Sequence, residues 1–212
     1  MKQHPDVVYR YGRALYINLT NRCPNACVFC MKKSWNMRYR SYNLELGKAE
    51  PEAPAIIDEL KRQTAQQQAD EIVFCGYGEP FYRLDTLLET AACAPKLPGK
   101  PKTRVNTIGL GNMIAGEDVT PKLKGLLDTI CVSLNTSSPE QWLEIVRPQP
   151  AFREKGFEGV CDFVRRCTKY VPQTVVTAVE YPSVDIPAVR RLAASLGAGF
   201  RAREYMPDYQ DK

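Results

Sequence analysis

The sequence predicts an α/β fold with a parallel sheet, in the form of a partial (β/α)6 TIM-like barrel. Short apolar segments rich in β-branched residues alternate with amphipathic segments along the chain. This alternation is typical of parallel strands joined by right-handed helical crossovers. The 212 residues accommodate six strand–helix units of about 35 residues, whereas a complete eight-unit barrel takes about 250 residues.

The strands and helices follow from local pattern. Six compact apolar runs predict buried strands at 14–19, 71–75, 103–107, 129–134, 174–179 and 199–203. Five amphipathic segments predict helices, which start near Pro54, Asp85, Ser138, Gly159 and Pro187. Asp85 and the Ser138-Pro139 pair are typical of helix starts. The longest irregular piece is expected between Met31 and about Glu52.

Composition and length favour one ordinary globular domain, residues 1–212, because there is neither an internal repeat nor a convincing linker. No segment approaches the roughly 18 apolar residues of a membrane span, and the first residues lack the apolar centre of a secretory signal. We therefore expect a cytoplasmic protein without a membrane partner. In that compartment the eight cysteines are expected to be reduced thiols or metal ligands.

Charge and histidine content exclude several functions. The net charge is +5, and the basic residues are scattered rather than concentrated, which favours tolerance of anionic partners over a dedicated nucleic-acid protein. His4 is the single histidine of the sequence. A Ser-His-Asp triad, a Cys-His pair or a histidine-rich zinc site therefore has no support.

Three cysteines, Cys23, Cys27 and Cys30, follow the first predicted strand with the spacing Cys-x3-Cys-x2-Cys. In parallel α/β folds, chemistry is located at the carboxyl ends of the strands. A structural zinc site or a closed iron–sulfur cluster needs four ligands, and neither flank supplies an obvious fourth. A cluster with one open iron fits three thiolates, and a zinc site completed by a distant cysteine such as Cys75 is the alternative.

The second predicted strand ends in Phe-Cys-Gly-Tyr-Gly-Glu-Pro, residues 74–80. Glycines at this position allow a ligand to approach the backbone, and Pro80 prevents further strand pairing. Glu79 supplies a negative partner for an ammonium group. A simple strand-to-helix turn explains a glycine-rich segment about as well when it is considered without the cysteines.

The cysteine triplet, with Phe29 before its last member, resembles the signature of the radical S-adenosylmethionine (SAM) superfamily. In that family three cysteines hold a [4Fe–4S] cluster, and its open iron binds the amino and carboxylate groups of SAM. One electron then breaks a sulfur–carbon bond to release a 5′-deoxyadenosyl radical. A frequent Gly-Gly-Glu-Pro motif holds the methionine amino group, which the resemblance assigns to Gly78 and Glu79. Tyr77 occupies the place of the first glycine, with Gly76 before it, and the Phe29 ring packs either on the cofactor or in the core.

The resemblance also implies cofactor contacts at later strand ends. In the family, polar residues after the fourth strand bind the ribose or carboxylate of SAM, a role carried here to Ser133 and Asn135. These side chains share one face of an extended chain, although they could instead cap the next helix. Asn106 and Thr107 are further candidates. Arg147 is either a partner of the methionine carboxylate or a solvated surface arginine.

The remaining cysteines, residues 31–42 and the arginines of the last strand each have a structural explanation, and some also have a functional one. The five remaining cysteines are expected to pack as small hydrophobic residues, so a single cluster is predicted: Cys75, Cys93, Cys131, Cys161 and Cys167. Residues 31–42 interleave basic and aromatic side chains, which suits either base stacking or a solvated loop. Arg201 and Arg203 share a face of the last strand, at the mouth or on an exposed edge.

The whole chain is most similar to short radical SAM proteins associated with TatD-type nucleases. This resemblance rests on residues 9–16, 76–80, 132–135, 147–149 and 200–205. It implies an enzyme that takes an electron from flavodoxin or ferredoxin and abstracts hydrogen from an unidentified substrate, of anionic character if the charge is a guide. It also implies a functional link to a TatD-type nuclease. No catalytic residue is assigned.

Three other functions stay open at this point. Within the same chemistry, the chain could be a glycyl-radical activating enzyme or a deazapurine-type small-molecule enzyme. In another class, it could be a non-catalytic zinc-stabilised module that binds nucleic acid through residues 35–42.

Overall fold

The structure, a computed structural model, describes residues 5–207 apart from the side chain of Lys33, so His4 lies outside the described residues. The strands in this range are β1 (Val8–Tyr11), β2 (Ala14–Ile17), β3 (Arg38–Tyr39), β4 (Tyr42–Asn43), β5 (Glu71–Phe74), β6 (Lys102–Thr107), β7 (Thr129–Ser133), β8 (Gln173–Val179) and β9 (Gly199–Arg203). The α-helices are α1 (Met31–Ser34), α2 (Ala53–Gln66), α3 (Leu84–Ala91), α4 (Gly111–Ala115), α5 (Pro139–Val146), α6 (Gly156–Cys167) and α7 (Ile186–Ser195).

The main sheet has the strand order β1-β2-β5-β6-β7-β8-β9. β2 and the five strands after it in this order are parallel and follow one another in chain order, as six successive strand–helix units require. The prediction of an α/β fold with a parallel sheet is therefore confirmed, and all six predicted strands are present.

The sequence patterns did not predict β1, which pairs antiparallel with β2 through a tight turn at Gly12 and Arg13. Gly12 has φ of 56°, a conformation that glycine adopts readily. The sequence patterns also did not predict α4, between β6 and β7, or α1 and the β3–β4 hairpin within the stretch expected to be irregular. Trp35 and Leu44, which are 4% and 0% exposed, anchor that stretch.

The two faces of the sheet differ in chemistry because successive side chains of a strand point to opposite sides. One face packs into the helices and forms the apolar core, with members such as Leu15, Phe74, Val105, Ile130 and Val176. Between these positions lie mostly polar side chains, which include Tyr16, Arg104, Asn106, Ser133 and Thr177. A polar face of this kind is available for a ligand.

Helix starts follow side-chain capping only in part. Ser138 accepts a hydrogen bond from Gln141 N at 3.2 Å and caps α5, and Asp185 accepts from Ala188 N at 2.9 Å and caps α7. Asp85 was expected to cap its helix but lies in the first turn of α3. The chain already turns in a 3-10 segment, Pro80–Arg83, in front of that helix. Within residues 5–207, no helix combines the length and apolar character that a membrane crossing needs.

Candidate functional site

A cavity of about 360 Å³ lies at the carboxyl ends of the parallel strands, where the sequence predicted the chemistry. Its wall combines the loop between β2 and α1, residues 18–30, here called the cysteine loop, with residues at the ends of β5 to β9. Of the sequence-predicted residues, it brings together Cys23, Cys27, Phe29, Cys30, Gly76, Tyr77, Gly78, Glu79, Asn106, Thr107, Ser133 and Asn135.

Backbone hydrogen bonds hold the cysteine loop against residues 145–149, the end of α5 and the segment after it. The bonds include Ala26 N to Val146 O at 3.2 Å, Val28 N to Ile145 O at 2.9 Å and Gln149 N to Pro24 O at 2.8 Å. Irregular backbone satisfied in this way keeps a defined shape. The three thiols are thus presented to the cavity by a fixed loop.

The three thiols are partly buried free cysteines. Burial raises the pKa of Cys23 to about 12, and it raises the pKa of Cys27 to about 12 as well, with the neighbouring thiols adding to the effect. Metal must therefore displace protons from these sulfurs when it binds.

The donor set fits an iron–sulfur cluster. Within residues 5–207, no three His, Cys, Asp or Glu side chains are arranged to hold one metal ion. A four-iron cluster attaches each thiolate to a different iron, so it does not require three ligands around a single ion. Three soft sulfur donors on one cavity wall, Cys23, Cys27 and Cys30, match that demand.

The glycines after β5 are required by packing against the cysteine loop. A Cβ on Gly76 would lie 2.0 Å from Asn18 Oδ1, and a Cβ on Gly78 would lie 2.3 Å from Thr20 O. Both contacts are far inside van der Waals distance. Close packing of the cysteine loop therefore requires glycine at both positions, and the approach of a ligand to their backbone stays a prediction.

Glu79 is fully buried and accepts three hydrogen bonds. Its Oε1 accepts from Phe81 N at 3.0 Å and from Thr107 Oγ1 at 2.8 Å, and its Oε2 accepts from Ile108 N at 2.7 Å. Burial raises the pKa of Glu79 to about 7, although these three donors oppose the rise. The carboxyl group therefore ties the end of β5 to the end of β6 at the cavity wall.

The polar residues at the ends of β6 and β7 line the cavity, and they also make hydrogen bonds within the protein. Asn106 Oδ1 accepts from Arg104 Nη1 at 2.9 Å. Asn135 has φ of 69°, and its Oδ1 accepts from Val179 N at 3.3 Å. Neither Ser133 nor Asn135 caps the following helix, because Ser138 does so.

Arg147 and Phe29 occupy different environments. Arg147 is exposed, its Nε donates to Glu144 O at 3.2 Å, and its side chain is not part of the cavity wall. The role of Arg147 as a partner of the methionine carboxylate stays a prediction. Phe29 packs against the core and also lines the cavity, with its ring centroid 5.9 Å from that of Tyr181.

Two residues whose readings the sequence left open line the cavity. Cys75 was expected to be core packing, with a distant zinc ligand as the alternative, and it lines the cavity beside Gly76. Arg203 also lines the cavity, whereas Arg201 on the same strand face does not. The alternation of the two arginines was visible in the sequence, but only the sheet order shows which one reaches the site. Cys93, Cys131, Cys161 and Cys167 are buried, as expected.

Comparison with known proteins identifies the family. The family model of the radical SAM superfamily matches residues 17–190. A probable GTP 3',8-cyclase from Methanosarcina acetivorans is 29% identical over 163 residues, which cover 75% of this chain and 45% of that protein. The chain thus spans less than half the length of this curated relative.

Solved structures show the same fold at low sequence identity. A radical SAM methyltransferase from Sphaerobacter thermophilus aligns with a TM-score of 0.59 and 15% identity, over 93% of this chain and 68% of that one. Methylornithine synthase aligns with a TM-score of 0.61 and 14% identity, over 92% of this chain and 54% of that one. Since the family model covers most of the chain, this protein belongs to the radical SAM superfamily, whose members are enzymes that use a [4Fe–4S] cluster and SAM.

Proposed function

We propose that Cys23, Cys27 and Cys30 hold a [4Fe–4S] cluster with one iron open to SAM, and that the chain is a radical SAM enzyme acting on an unidentified substrate. The main support is that the three thiols share one cavity wall with Glu79 and the polar strand ends. When bound, the cluster supplies the electron that cleaves SAM to methionine and a 5′-deoxyadenosyl radical.

Glu79 and Gly78 are assigned to the methionine part of SAM. The three hydrogen bonds to Glu79 use two acceptor sites on Oε1 and one on Oε2, so Oε2 retains one acceptor site for an ammonium group. Gly78 sets how closely that carboxylate and the cysteine loop approach each other, through its contact with Thr20 O. In this proposal the Glu79 carboxylate binds the same SAM molecule that binds the cluster held by the thiols.

The remaining candidates orient the cofactor in this proposal. Asn106, Thr107, Ser133 and Asn135 present polar groups at the ends of β6 and β7, and Phe29 offers an apolar ring. Tyr77 is assigned to support, because its hydroxyl donates to Arg38 O at 2.6 Å and so connects the site to the β3–β4 hairpin. Arg147 lies outside the cavity wall, and its pairing with the methionine carboxylate stays a separate prediction.

The biological setting is also proposed. A flavodoxin or ferredoxin would supply the electron, and the chain would act in the cytoplasm as one partial-barrel domain, residues 1–212, in functional connection with a TatD-type nuclease. The similarity to a probable GTP 3',8-cyclase makes GTP the first substrate to test. A glycyl-radical partner and deazapurine-type small molecules are the next candidates.

Anaerobic reconstitution tests the proposal. We expect a brown protein with about four irons per chain that forms 5′-deoxyadenosine from SAM when dithionite is added. Cys23→Ala, Cys27→Ala and Cys30→Ala should each lose most of the iron and all of the cleavage. Cys93→Ala is the matched control, because Cys93 is a buried cysteine away from the cavity wall.

The alternative functions give different results in the same experiment. A colourless protein that purifies with zinc and binds nucleic acid would support the binding module instead. A brown protein that never cleaves SAM would support the proposed cluster but contradict the proposed enzymatic activity. Cleavage that is retained in all three cysteine variants would contradict the assigned ligands.

A further inference from the structure

Arg203 places a positive charge in the cavity wall without an acidic partner. Its Nη2 donates to Ser133 Oγ at 3.2 Å, whereas its Nε is buried and has no hydrogen-bond partner. Among the residues that the structure describes, no carboxylate lies within ion-pair distance of this guanidinium. Burial lowers the pKa of Arg203, which reflects the cost of keeping the charge there.

Two other largely buried arginines show what this chain ordinarily does with such a group. Arg104 makes a two-point ion pair with Glu71, with Nε–Oε1 and Nη2–Oε2 distances of 2.9 and 2.8 Å. Arg83 pairs with Glu50 at 3.2 Å. An unpaired buried charge is costly, because the protein interior does not replace its hydration. The absence of a partner at Arg203 therefore points to a partner that arrives from outside.

The charged and titratable groups around Arg203 do not already fill that role. The groups that interact with it electrostatically include the thiols of Cys75, Cys131 and Cys27 and the guanidinium of Arg201. Glu79 lies in the same cavity wall, but it makes no ion pair with Arg203 within the described residues, and its one remaining acceptor site is assigned above to the ammonium group of SAM. Glu204 also lines the cavity and makes no ion pair within the described part of the chain.

We propose that Arg203 binds an anionic group, a carboxylate or a phosphate, of a molecule held in the cavity. A guanidinium offers several N–H donors in a planar arrangement that matches both anions. The bond to Ser133 fixes the orientation of the guanidinium, and Nε remains as a buried donor that is not used. The inference rests on the proposed function for the identity of the cavity ligand, while the unpaired charge is observed directly.

The anionic group could belong to either of two molecules, and the guanidinium would bind it in the same way in both cases. One is the methionine carboxylate of SAM, and the other is an anionic group of the substrate. The experiment uses the reconstituted wild-type protein, Arg203→Met, Arg203→Lys and the control Arg201→Met. Arg201 is on the same strand and strand face, but it lies outside the cavity wall. Anaerobic calorimetry measures binding of SAM, and then binding of inorganic pyrophosphate to the SAM-loaded protein.

If SAM brings the anion, Arg203→Met should bind SAM at least about tenfold more weakly, as expected for a lost charge-assisted hydrogen bond, with partial recovery in Arg203→Lys. If the substrate brings it, SAM affinity should be unchanged and pyrophosphate binding should be lost in Arg203→Met. Arg201→Met removes a neighbouring charge but no group of the cavity wall, so it should weaken binding far less than Arg203→Met in both arms.

Other outcomes would overturn the proposal. Unchanged binding of both SAM and pyrophosphate in Arg203→Met would show that the guanidinium meets no anion. Loss of iron from Arg203→Met, with iron retained in Arg203→Lys, would show that the charge serves the cluster instead. Melting curves of the variants confirm that each is folded. If the wild type forms no cluster, the proposed function fails, but pyrophosphate binding to the unloaded protein still tests Arg203.

Discussion

Gly78 shows at the scale of one residue how the cysteine loop is positioned. Its α-carbon lies against the loop backbone, so that an added Cβ would come within 2.3 Å of Thr20 O and 2.6 Å of Arg22 O. Backbone oxygens cannot swing aside as the end of a long side chain can. The loop takes its place relative to β5 because residue 78 has no side chain.

We expect Gly78→Ala to displace the cysteine loop and to destabilise the protein by about 2 to 4 kcal/mol. The reconstituted variant should retain less than about half of the wild-type iron, because the thiols move with the loop. Iron content and denaturant unfolding measure the two effects.

Gly116→Ala is the matched control for this substitution. Gly116 has φ of 72°, and an added Cβ would meet no atom within 4 Å, so only backbone strain of about 1 kcal/mol is expected. Iron content should stay at the wild-type level in that variant. Equal iron loss in both variants would show that general destabilisation, and not the loop contact, controls cluster binding.

Glu50 joins several elements at the edge of the site. Its carboxylate accepts hydrogen bonds from Thr20 and Arg22 of the cysteine loop and from Arg83, which lies in the 3-10 segment before α3. Burial opposes ionisation of Glu50, but these hydrogen bonds outweigh it and hold the pKa below the ordinary 4.5. The ionised carboxylate therefore stabilises the junction between the loop and the helices.

The sign of the pH dependence follows from the lowered pKa. A carboxyl group with a lower pKa in the folded state contributes stability above its unfolded pKa, and that stability is lost as pH falls through the folded value. We expect Glu50→Gln to lose about 1 to 2 kcal/mol at neutral pH. The difference between variant and wild type should shrink as the pH falls below 4.5.

Glu52→Gln is the control for this element, because Glu52 also pairs with Arg83, at 3.0 Å, but is 77% exposed. An exposed ion pair contributes little, so the control should follow the wild type at each pH. Urea unfolding across the pH range measures all three proteins. A Glu50→Gln deficit that persists unchanged in acid would contradict the role of its charge.

For the whole molecule, cluster binding and folding should be coupled. The thiols belong to a loop that is docked on residues 145–149, so a bound cluster can stabilise only the state in which this docking exists. We expect reconstitution to raise the melting temperature by at least about 5 °C, on the order of 2 kcal/mol for a chain of this size.

Removal of the cluster by chelation should reverse this gain. The variant with Cys23, Cys27 and Cys30 all changed to alanine serves as the control and should show no gain from iron and sulfide. Anaerobic scanning calorimetry measures the shift. A gain of equal size in the triple variant would mean that iron stabilises the protein at some other place.

The sequence determined the parallel strands, the longer helices between them and the cysteine triplet, but not the short helix α4. These features depend on short-range patterns: apolar runs of strand length, capping residues such as Ser138, and the spacing of Cys23, Cys27 and Cys30. β1, which pairs with β2, was missed because a four-residue strand followed by a tight turn shows only a weak alternation of apolar and polar residues. The reading of Asp85 as a cap failed because Glu79 and Pro80 turn the chain before α3 begins.

Tertiary structure alone decided which of the polar residues meet. The sequence offered Arg147 as a partner of the methionine carboxylate and left Arg203 open between the mouth and an exposed edge. In the structure Arg147 is exposed and lies outside the cavity wall, whereas Arg203 lines the cavity. In the sequence Cys75 resembles the four cysteines that pack in the core, and only the structure shows that it lines the cavity. The physical reason is that the direction and partners of a side chain depend on strand order and on contacts between distant segments, and neither is encoded in local periodicity.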